Sequence, residues 1–161
     1  MSGPDSLRVA READHAAIDL LLRAAFGGPD EANLMPRLRA AGVIETEMVM
    51  PWQAGIVAHL ALSRLVAPDG WLALAPVAVA PAWQRRGLGL RMLAGAMRLA
   101  AIKGQTVVVV GNPGYYARAG FSKARAACLT SPYPLQYTLM ARPGDDVPEA
   151  VLIYPDAFAG V

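Results

Sequence analysis

Residues 77–100 read VAVAPAWQRRGLGLRMLAGAMRLA and join an apolar segment, a glycine-containing turn and a segment with helical spacing. The apolar start is typical of a buried strand. The last segment carries an apolar stripe formed by Leu90, Leu93, Met97 and Ala100, which predicts a helix. A helix that begins near Gly87 leaves its first backbone amides without intrahelical partners, and with the helix dipole these amides favour a bound anion. Arg85 and Arg86 add positive charge beside them, and Gln84 adds a neutral donor.

Two other phosphate-binding motifs are excluded at this turn. A P-loop requires GxxxxGK[ST], which the sequence lacks. A dinucleotide-binding fingerprint requires a third glycine and an acidic residue about 20 residues further on, and neither is present. A Gly-x-Gly pair at a helix start is not specific by itself, so a purely structural turn remains the alternative.

The charge distribution is uneven along the chain. Residues 71–144 contain no Asp or Glu. The same region contains nine basic residues: Arg85, Arg86, Arg91, Arg98, Lys103, Arg118, Lys123, Arg125 and Arg142. The net charge is nevertheless only +2, because the acidic residues lie in the first and last segments. Such a pattern fits either an anionic ligand or a solvated basic face.

Length and composition predict one folded domain over residues 1–161. The 161 residues are 55% hydrophobic and 17% charged, which is far from the composition of a disordered chain. No apolar run is long enough to span a membrane, and the N-terminal residues lack a signal-peptide pattern, so we expect a cytoplasmic protein with no membrane partner. With one cysteine, Cys128, and two histidines, we expect no metal site and a buried, inert thiol.

Periodicity and turn residues predict the order β-α-α-β-β-β-α-β-α-β-β. This order indicates an α/β protein of the mixed-sheet (α+β) kind with flanking helices, not a regular βαβ alternation. We expect Asp14 to cap the first helix and Phe121 to open a strand. Pro76 cannot donate a ladder hydrogen bond and so predicts a bulge or interruption in the central strand.

The strand VIETEMVM, residues 43–50, carries two carboxylates. Alternation predicts that Glu45 and Glu47 share one face of this strand. The other face is then formed by Ile44, Met48 and Met50.

Two motifs in this sequence resemble those of the GNAT-type N-acetyltransferases. QRRGLG matches the Q/R-x-x-G-x-G/A motif of that superfamily between a strand and a helix, and YYARAGF resembles its Tyr…Gly-Phe element after the next strand. The segments AAFGG, RLRAAG, LALAPVAVAP, VVGNPGYYARAGF and IYPDAF are similar to a bacterial acetyltransferase subgroup. The resemblance therefore covers nearly the whole chain.

The resemblance implies the GNAT fold, in which a central, mostly antiparallel sheet contains a splayed pair of parallel strands and is flanked by helices. Acetyl-CoA is the implied cosubstrate. Its pantetheine arm would lie between the strand of residues 77–79 and the strand TVVVV, and its pyrophosphate on the amides of residues 85–89. The implied CoA-binding residues are Val77, Ala78, Val79, Gln84, Arg85, Arg86, Gly87, Leu88, Gly89, Asn112 and Tyr116. Asn112 lies only four residues before Tyr116, which departs from the family's usual asparagine position.

The implied reaction is direct attack of an unprotonated primary amine on the acetyl thioester. Tyr116, four residues before Gly120, matches the family's general-acid tyrosine, and Tyr115 is the alternative; both rings could instead pack on CoA or in the core. A backbone amide in residues 77–79 would polarise the thioester carbonyl. The general base remains open between Glu45, Glu47, His59 and water.

Three functions remain possible on the sequence alone. The first is acetylation of an amine on a small molecule or peptide. The second is a nucleic-acid-binding module, or an enzyme that acetylates a charged tRNA. Nine basic residues and four tyrosines in one region suggest it. However, these basic residues are scattered over helices, loops and strands, which disfavours nucleic acid as a partner. The third is a CoA-binding protein without catalysis. The acceptor, a possible homodimer and the role of the C-terminal segment stay open.

Overall fold

The computed structural model describes Pro4 and residues 6–161, and these residues form a sheet with helices on both faces. In chain order the elements are β1 (Arg8–Val9), α1 (His15–Phe26), α2 (Asp30–Ala41), β2 (Ile44–Trp52), β3 (Gly55–Arg64), β4 (Leu72–Val79), α3 (Leu88–Ile102), β5 (Val107–Val110), α4 (Pro113–Ala117), β6 (Leu129–Thr130), β7 (Thr138–Ala141) and β8 (Ala150–Val151). No helix of these residues is long and apolar enough to cross a membrane.

The main sheet has six strands in the order β1-β2-β3-β4-β5-β7. All neighbouring strands are antiparallel except β4 and β5, which are parallel. This architecture confirms the predicted fold class. A short parallel pair, β6 with β8, was not predicted, because each strand has only two residues.

The central strand β4 contains the bulge that Pro76 predicts. In the ladder with β3, Leu60 faces Val77 but Leu62 faces Leu74, so β4 has one more residue than its partner across this interval. Pro76 lies within the interval and has no amide hydrogen to donate. The ladder is therefore interrupted where a hydrogen bond could not be made.

Strands β4 and β5 separate soon after they meet. Their pairing consists of Leu72 with Val107 and Ala73 with Val108, although β4 continues to Val79. Beyond these pairs the two strands diverge, as the resemblance implies. The edge of β4 that faces β5 is consequently left open along the second half of the strand.

The two faces of the sheet carry different helices. Helices α1 and α2 cover one face with a core that includes Leu22, Leu38 and Val49. Helix α3 covers the other face, where Leu93 and Leu60 are fully buried. Each helix presents its apolar stripe to the sheet and its polar side to solvent.

Asp14 does not cap α1 through its side chain, contrary to expectation. Its carboxylate instead accepts a hydrogen bond from the amide of Arg11 (2.8 Å) and pairs with Arg8 (2.7 Å). A turn of 3-10 helix at residues 12–14 precedes α1 and gives Asp14 a helical backbone conformation, so its side chain closes this earlier turn.

Two strand predictions are also corrected. Ile44 packs in the core beneath α1 and α2, whereas Met48 and Met50 pack beneath α3. The register of β2 shifts between Ile44 and Thr46, and this irregularity breaks the simple alternation. Phe121 precedes an isolated bridge between Ser122 and Met140 and does not open an extended strand.

We expect Leu93→Ala to lower the free energy of unfolding by about 2–5 kcal/mol, because truncation leaves a cavity in a closed core. Leu93 is 0% exposed on α3. Leu99→Ala is the control on the same helix, since Leu99 is 47% exposed, and it should cost about 0.5 kcal/mol or less. Urea unfolding curves measure both. Equal losses in the two variants would contradict the described packing of α3.

Candidate active site

The turn between β4 and α3 presents a row of free backbone donors. The amide of Gln84 donates to the carbonyl of Pro81 (3.4 Å) and the amide of Arg91 to the carbonyl of Gly87 (3.1 Å). Between them, no amide of residues 85–90 donates a well-formed hydrogen bond to any residue that the structure describes. Because these amides open a fifteen-residue helix, they are free to donate to an anion, and a diphosphate at this turn stays a prediction.

The conformation of this turn requires unusual backbone angles. Gly87 has φ of 78°, which suits glycine, and Arg85 adopts φ of 64°, which is uncommon for a residue with a side chain. The side-chain amide of Gln84 donates to the carbonyl of Val79 (2.9 Å) and ties the turn to the end of β4. The Arg86 guanidinium lies over the ring of Trp83 at 5.0 Å from its centroid.

A cavity of about 430 Å³ opens at this turn. Its lining residues are Val79, Trp83, Gln84, Arg85, Gly87, Leu88, Gly89, Leu90, Tyr115 and Arg118. A Cβ atom at Gly89 would collide with the hydroxyl of Tyr115 and lie 3.3 Å from Val79 Cγ2, so glycine here permits close packing of the helix start. Arg118 is a further cation that sequence reasoning did not assign to the site.

A second cavity, the acyl cleft, lies on the other side of the opened strands and measures about 290 Å³. The bulged part of β4 and the end of β5 form its floor, with Ala75, Pro76, Val77 and Val110 among the lining residues. Val77 therefore lines the acyl cleft, Val79 lines the turn cavity, and Ala78 between them is buried in the sheet opposite His59.

The two adjacent tyrosines of α4 face different cavities. Tyr116 lines the acyl cleft and Tyr115 lines the turn cavity, with their rings nearly perpendicular at a centroid distance of 5.1 Å. Burial, together with the neighbouring Tyr115, raises the pKa of Tyr116 to about 12. Burial also raises the pKa of Tyr115, an effect that Arg118 opposes. Both phenols therefore keep their protons at neutral pH and have a proton to donate.

Asn112 lines neither cavity and makes a structural contact instead. It is exposed, and its side-chain oxygen accepts a hydrogen bond from the amide of Tyr115 (3.1 Å), which caps α4. The cap orients the helix that carries both tyrosines. Binding of pantetheine by Asn112 stays a prediction.

The three candidate bases lie in ion pairs away from both cavities. Glu47 pairs with Arg39 (2.7 Å) and with Nε2 of His59 (2.8 Å), and Glu45 pairs with Arg64 (3.2 Å). His59 is fully buried, and its Nδ1 has no hydrogen-bond partner among the described residues. Burial by itself would raise the pKa of Glu47, but the hydrogen bonds and charges of His59 and Arg39 prevail and lower it to about 2.

The structure brings other residues to the acyl cleft that the sequence analysis did not single out. Glu31 comes from the first turn of α2, and Tyr133 and Tyr154 come from irregular segments on either side of β7 and β8. No spacing rule links these three positions. Cys128, expected to be buried, is exposed. The described residues contain no group of His, Cys, Asp or Glu side chains that could hold a metal ion.

Comparison with solved structures identifies proteins of the same architecture. A GNAT family N-acetyltransferase (YhbS) from Escherichia coli in complex with CoA is 26% identical, with a TM-score of 0.88 over 98% of this chain and 93% of that one. A GNAT family acetyltransferase from Brucella melitensis in complex with acetyl-CoA is 27% identical, with a TM-score of 0.79 over 95% and 97% of the two chains.

A more distant likeness concerns the fold alone. The ribosomal-protein-S18-alanine N-acetyltransferase from Escherichia coli is 17% identical, with a TM-score of 0.60 over 93% of this chain and 94% of that one. No protein-family model matches the chain, and no curated protein matches it in sequence. The two structures above 25% identity confirm the predicted fold and the predicted relationship to the GNAT superfamily.

We expect Glu47→Gln to destabilise the protein by about 3 kcal/mol at neutral pH, since the depressed pKa measures how far the fold favours the carboxylate. A carboxylate whose pKa is lowered by folding stabilises the protein at pH values above its ordinary pKa near 4.5. This contribution disappears as the pH falls towards the lowered pKa of about 2. The difference between the variant and the parent protein should therefore shrink over that interval.

Denaturant unfolding at several pH values between 2 and 7 measures this difference. Glu45→Gln is the matched control on the same strand, because the Glu45 pair with Arg64 is largely exposed and should contribute about 0.5 kcal/mol. A Glu47→Gln penalty that is the same at pH 3 as at pH 7 would refute the ion-pair explanation.

Proposed function

We propose that this chain, a member of the GNAT superfamily, is an acetyl-CoA-dependent N-acetyltransferase that acts by direct attack of a primary amine. The proposal rests on one observation above all. The free amides of residues 85–90 lie beside an opened pair of strands, so one ligand can place a diphosphate on the turn and an extended arm between the strands. Acyl transfer as the reaction type follows from the family, since two similar structures are GNAT acetyltransferases bound to CoA or acetyl-CoA.

The residues present fit CoA. Arg85 and Arg118 line the turn cavity and would neutralise phosphate charge, while the amides of the turn supply directional donors. Gly89 lines the same cavity, and the absence of a side chain there lets Tyr115 and Val79 pack against the start of α3. The open edge of β4 offers backbone groups to the two amides of pantetheine, which would act as an added strand.

Bound acetyl-CoA supplies an acetyl group activated as a thioester. A backbone amide of residues 77–79 would donate to the carbonyl oxygen and stabilise the negative charge that develops there. The carbon–nitrogen bond forms as the carbon–sulfur bond breaks; the nitrogen loses one proton and the thiolate gains one. These two proton transfers define the tasks left to side chains.

Tyr116 is the proposed proton donor to the thiolate. It lines the acyl cleft next to the β4 bulge, and its raised pKa keeps the phenol protonated at neutral pH. Tyr115 lines the turn cavity instead, so we propose that it packs against the ligand's phosphate end. The positions of the two rings thus favour the assignment that the motif spacing predicts.

Water is the proposed route for the proton that leaves the amine. Glu47 is a poor base because its pKa is about 2, and its carboxylate is engaged by Arg39 and His59. Glu45 is paired with Arg64. The acyl cleft opens to the surface, so solvent can accept the proton that the nitrogen loses once it has attacked the carbonyl.

The nucleic-acid alternative gains no support from the basic residues. Arg125 and Arg142 both pair with Asp146, and Arg91 donates to the carbonyl of Pro4. These three guanidinium groups serve internal contacts. The acetyl-transfer proposal accounts for Arg85 and Arg118 at the turn cavity without a second ligand, whereas Arg86 lies over Trp83 and does not line this cavity.

We expect Arg85→Gln to weaken CoA binding about tenfold, because it removes one charge-assisted contact with the diphosphate. Arg98→Gln is the control, since Arg98 is exposed on α3 and does not line the turn cavity. Isothermal titration with CoA at two salt concentrations measures both. If the two variants bind CoA equally well, the placement of the diphosphate is wrong.

We expect Tyr116→Phe to lower kcat about 100-fold with little change in the Kd for acetyl-CoA, because only the proton on the leaving thiolate is lost. Tyr115→Phe is the matched variant one residue away and should retain most of kcat. Thiol release in the presence of a panel of primary amines provides the measurement. Full activity in Tyr116→Phe would exclude this residue as the acid, whereas absence of turnover in the parent protein, with CoA bound, would favour a non-catalytic role.

A further inference from the structure

The wall of the acyl cleft is apolar and aromatic, with one charged side chain. Glu31 is the only Asp, Glu, Lys, Arg or His side chain among its described lining residues. Phe26 of α1 and Leu34 of α2 form the rest of the wall on the helix side, and Phe158 lines the cleft from the C-terminal segment. A single acidic side chain in such surroundings favours a ligand with a single positive charge.

Glu31 is free to bind a ligand. It is partly buried at the start of α2 and makes no ion pair or side-chain hydrogen bond with a described residue. Its neighbour Asp30 is exposed and does not line the cleft. An acid in the first turn of a helix also interacts favourably with the helix dipole, and this effect applies to both residues alike. Glu31 differs from Asp30 in that it lines the cleft.

Three aromatic rings build the wall on the C-terminal side. Tyr133 and Tyr154 meet edge to face at a centroid distance of 4.9 Å, and Tyr154 meets Phe158 in the same way at 5.5 Å. Such a chain of perpendicular rings is rigid and offers both ring faces and ring edges to a ligand. Ring faces attract cations and pack well against other aromatic groups. Burial raises the pKa of both tyrosines, so the wall carries no charge of its own at neutral pH.

We propose that the acceptor is a small primary monoamine with an apolar, aromatic body and that Glu31 binds its ammonium group, which then releases one proton to water to give the neutral amine that attacks. The proposal rests on the acetyl-transfer function argued above and names the acceptor class of that site. The cleft volume of about 290 Å³ is at the lower end for small-molecule sites. A polyamine or a basic peptide would bring further charges against apolar walls without partners, at a cost in free energy.

Binding of 2-phenylethylamine to the CoA-saturated protein tests this assignment without turnover. Three ligands are compared by isothermal titration: 2-phenylethylamine, its uncharged analogue 2-phenylethanol, and spermidine. We expect 2-phenylethylamine to bind about tenfold more tightly than either of the others. Glu31→Gln should lose about tenfold in affinity for the amine but not for the alcohol. Glu31→Asp should restore part of the loss.

Asp30→Asn is the matched control, since it removes the neighbouring charge from the same helix turn and should leave amine affinity unchanged. Equal amine affinity in Glu31→Gln and the parent protein, tighter binding of spermidine, or no binding of 2-phenylethylamine to CoA-loaded protein would each overturn the acceptor assignment. Failure of the protein to bind CoA in the first titration would instead overturn the proposed function. The two failures are thus distinguished by the order of the titrations.

Discussion

The separation of β4 from β5 is the constraint on which the rest of the site depends. Two parallel strands that pair at only two positions leave backbone donors and acceptors without ladder partners, and such groups are costly unless water or a ligand satisfies them. The bulge around Pro76 interrupts the ladder of β4 with β3 at the same level. An opened strand edge and a helix start with free amides then follow one another along the chain. In the proposed binding mode, the groups that bind both parts of CoA therefore come from one continuous segment.

The sheet separates the chemistry of the two ends of the site. On the α3 side, the turn cavity gathers the free amides with Arg85 and Arg118. On the α1 and α2 side, the acyl cleft gathers apolar and aromatic groups with Glu31. Consecutive residues of a helix point about 100° apart, and for this reason adjacent tyrosines of α4 can serve different cavities. The cap that Asn112 provides fixes the rotation of this short helix.

The sequence predicts well the features that depend on local chemistry. The bulge at Pro76 and the helix from the QRRGLG turn were expected, because proline, glycine and apolar spacing act within a few residues. The splayed parallel strand pair was expected only because the family resemblance implies it. The predicted cap at Asp14 was wrong because a 3-10 turn precedes α1. The predicted face of Ile44 was wrong because the register of β2 shifts beside it. Glu31, Tyr133 and Tyr154 could not be found, because segments far apart in sequence meet at the cleft only through tertiary packing.

The central claim is that free main-chain amides at the start of α3 bind the diphosphate of CoA. Amide chemical shifts recorded by ¹⁵N NMR during a titration with CoA test it most directly. Desulfo-CoA, which carries the diphosphate, and pantetheine, which lacks it, are the comparison ligands. The account predicts that the amides of residues 85–90 shift most, with both diphosphate-bearing ligands and not with pantetheine. Saturation with CoA while these amides keep their free-state shifts would contradict it.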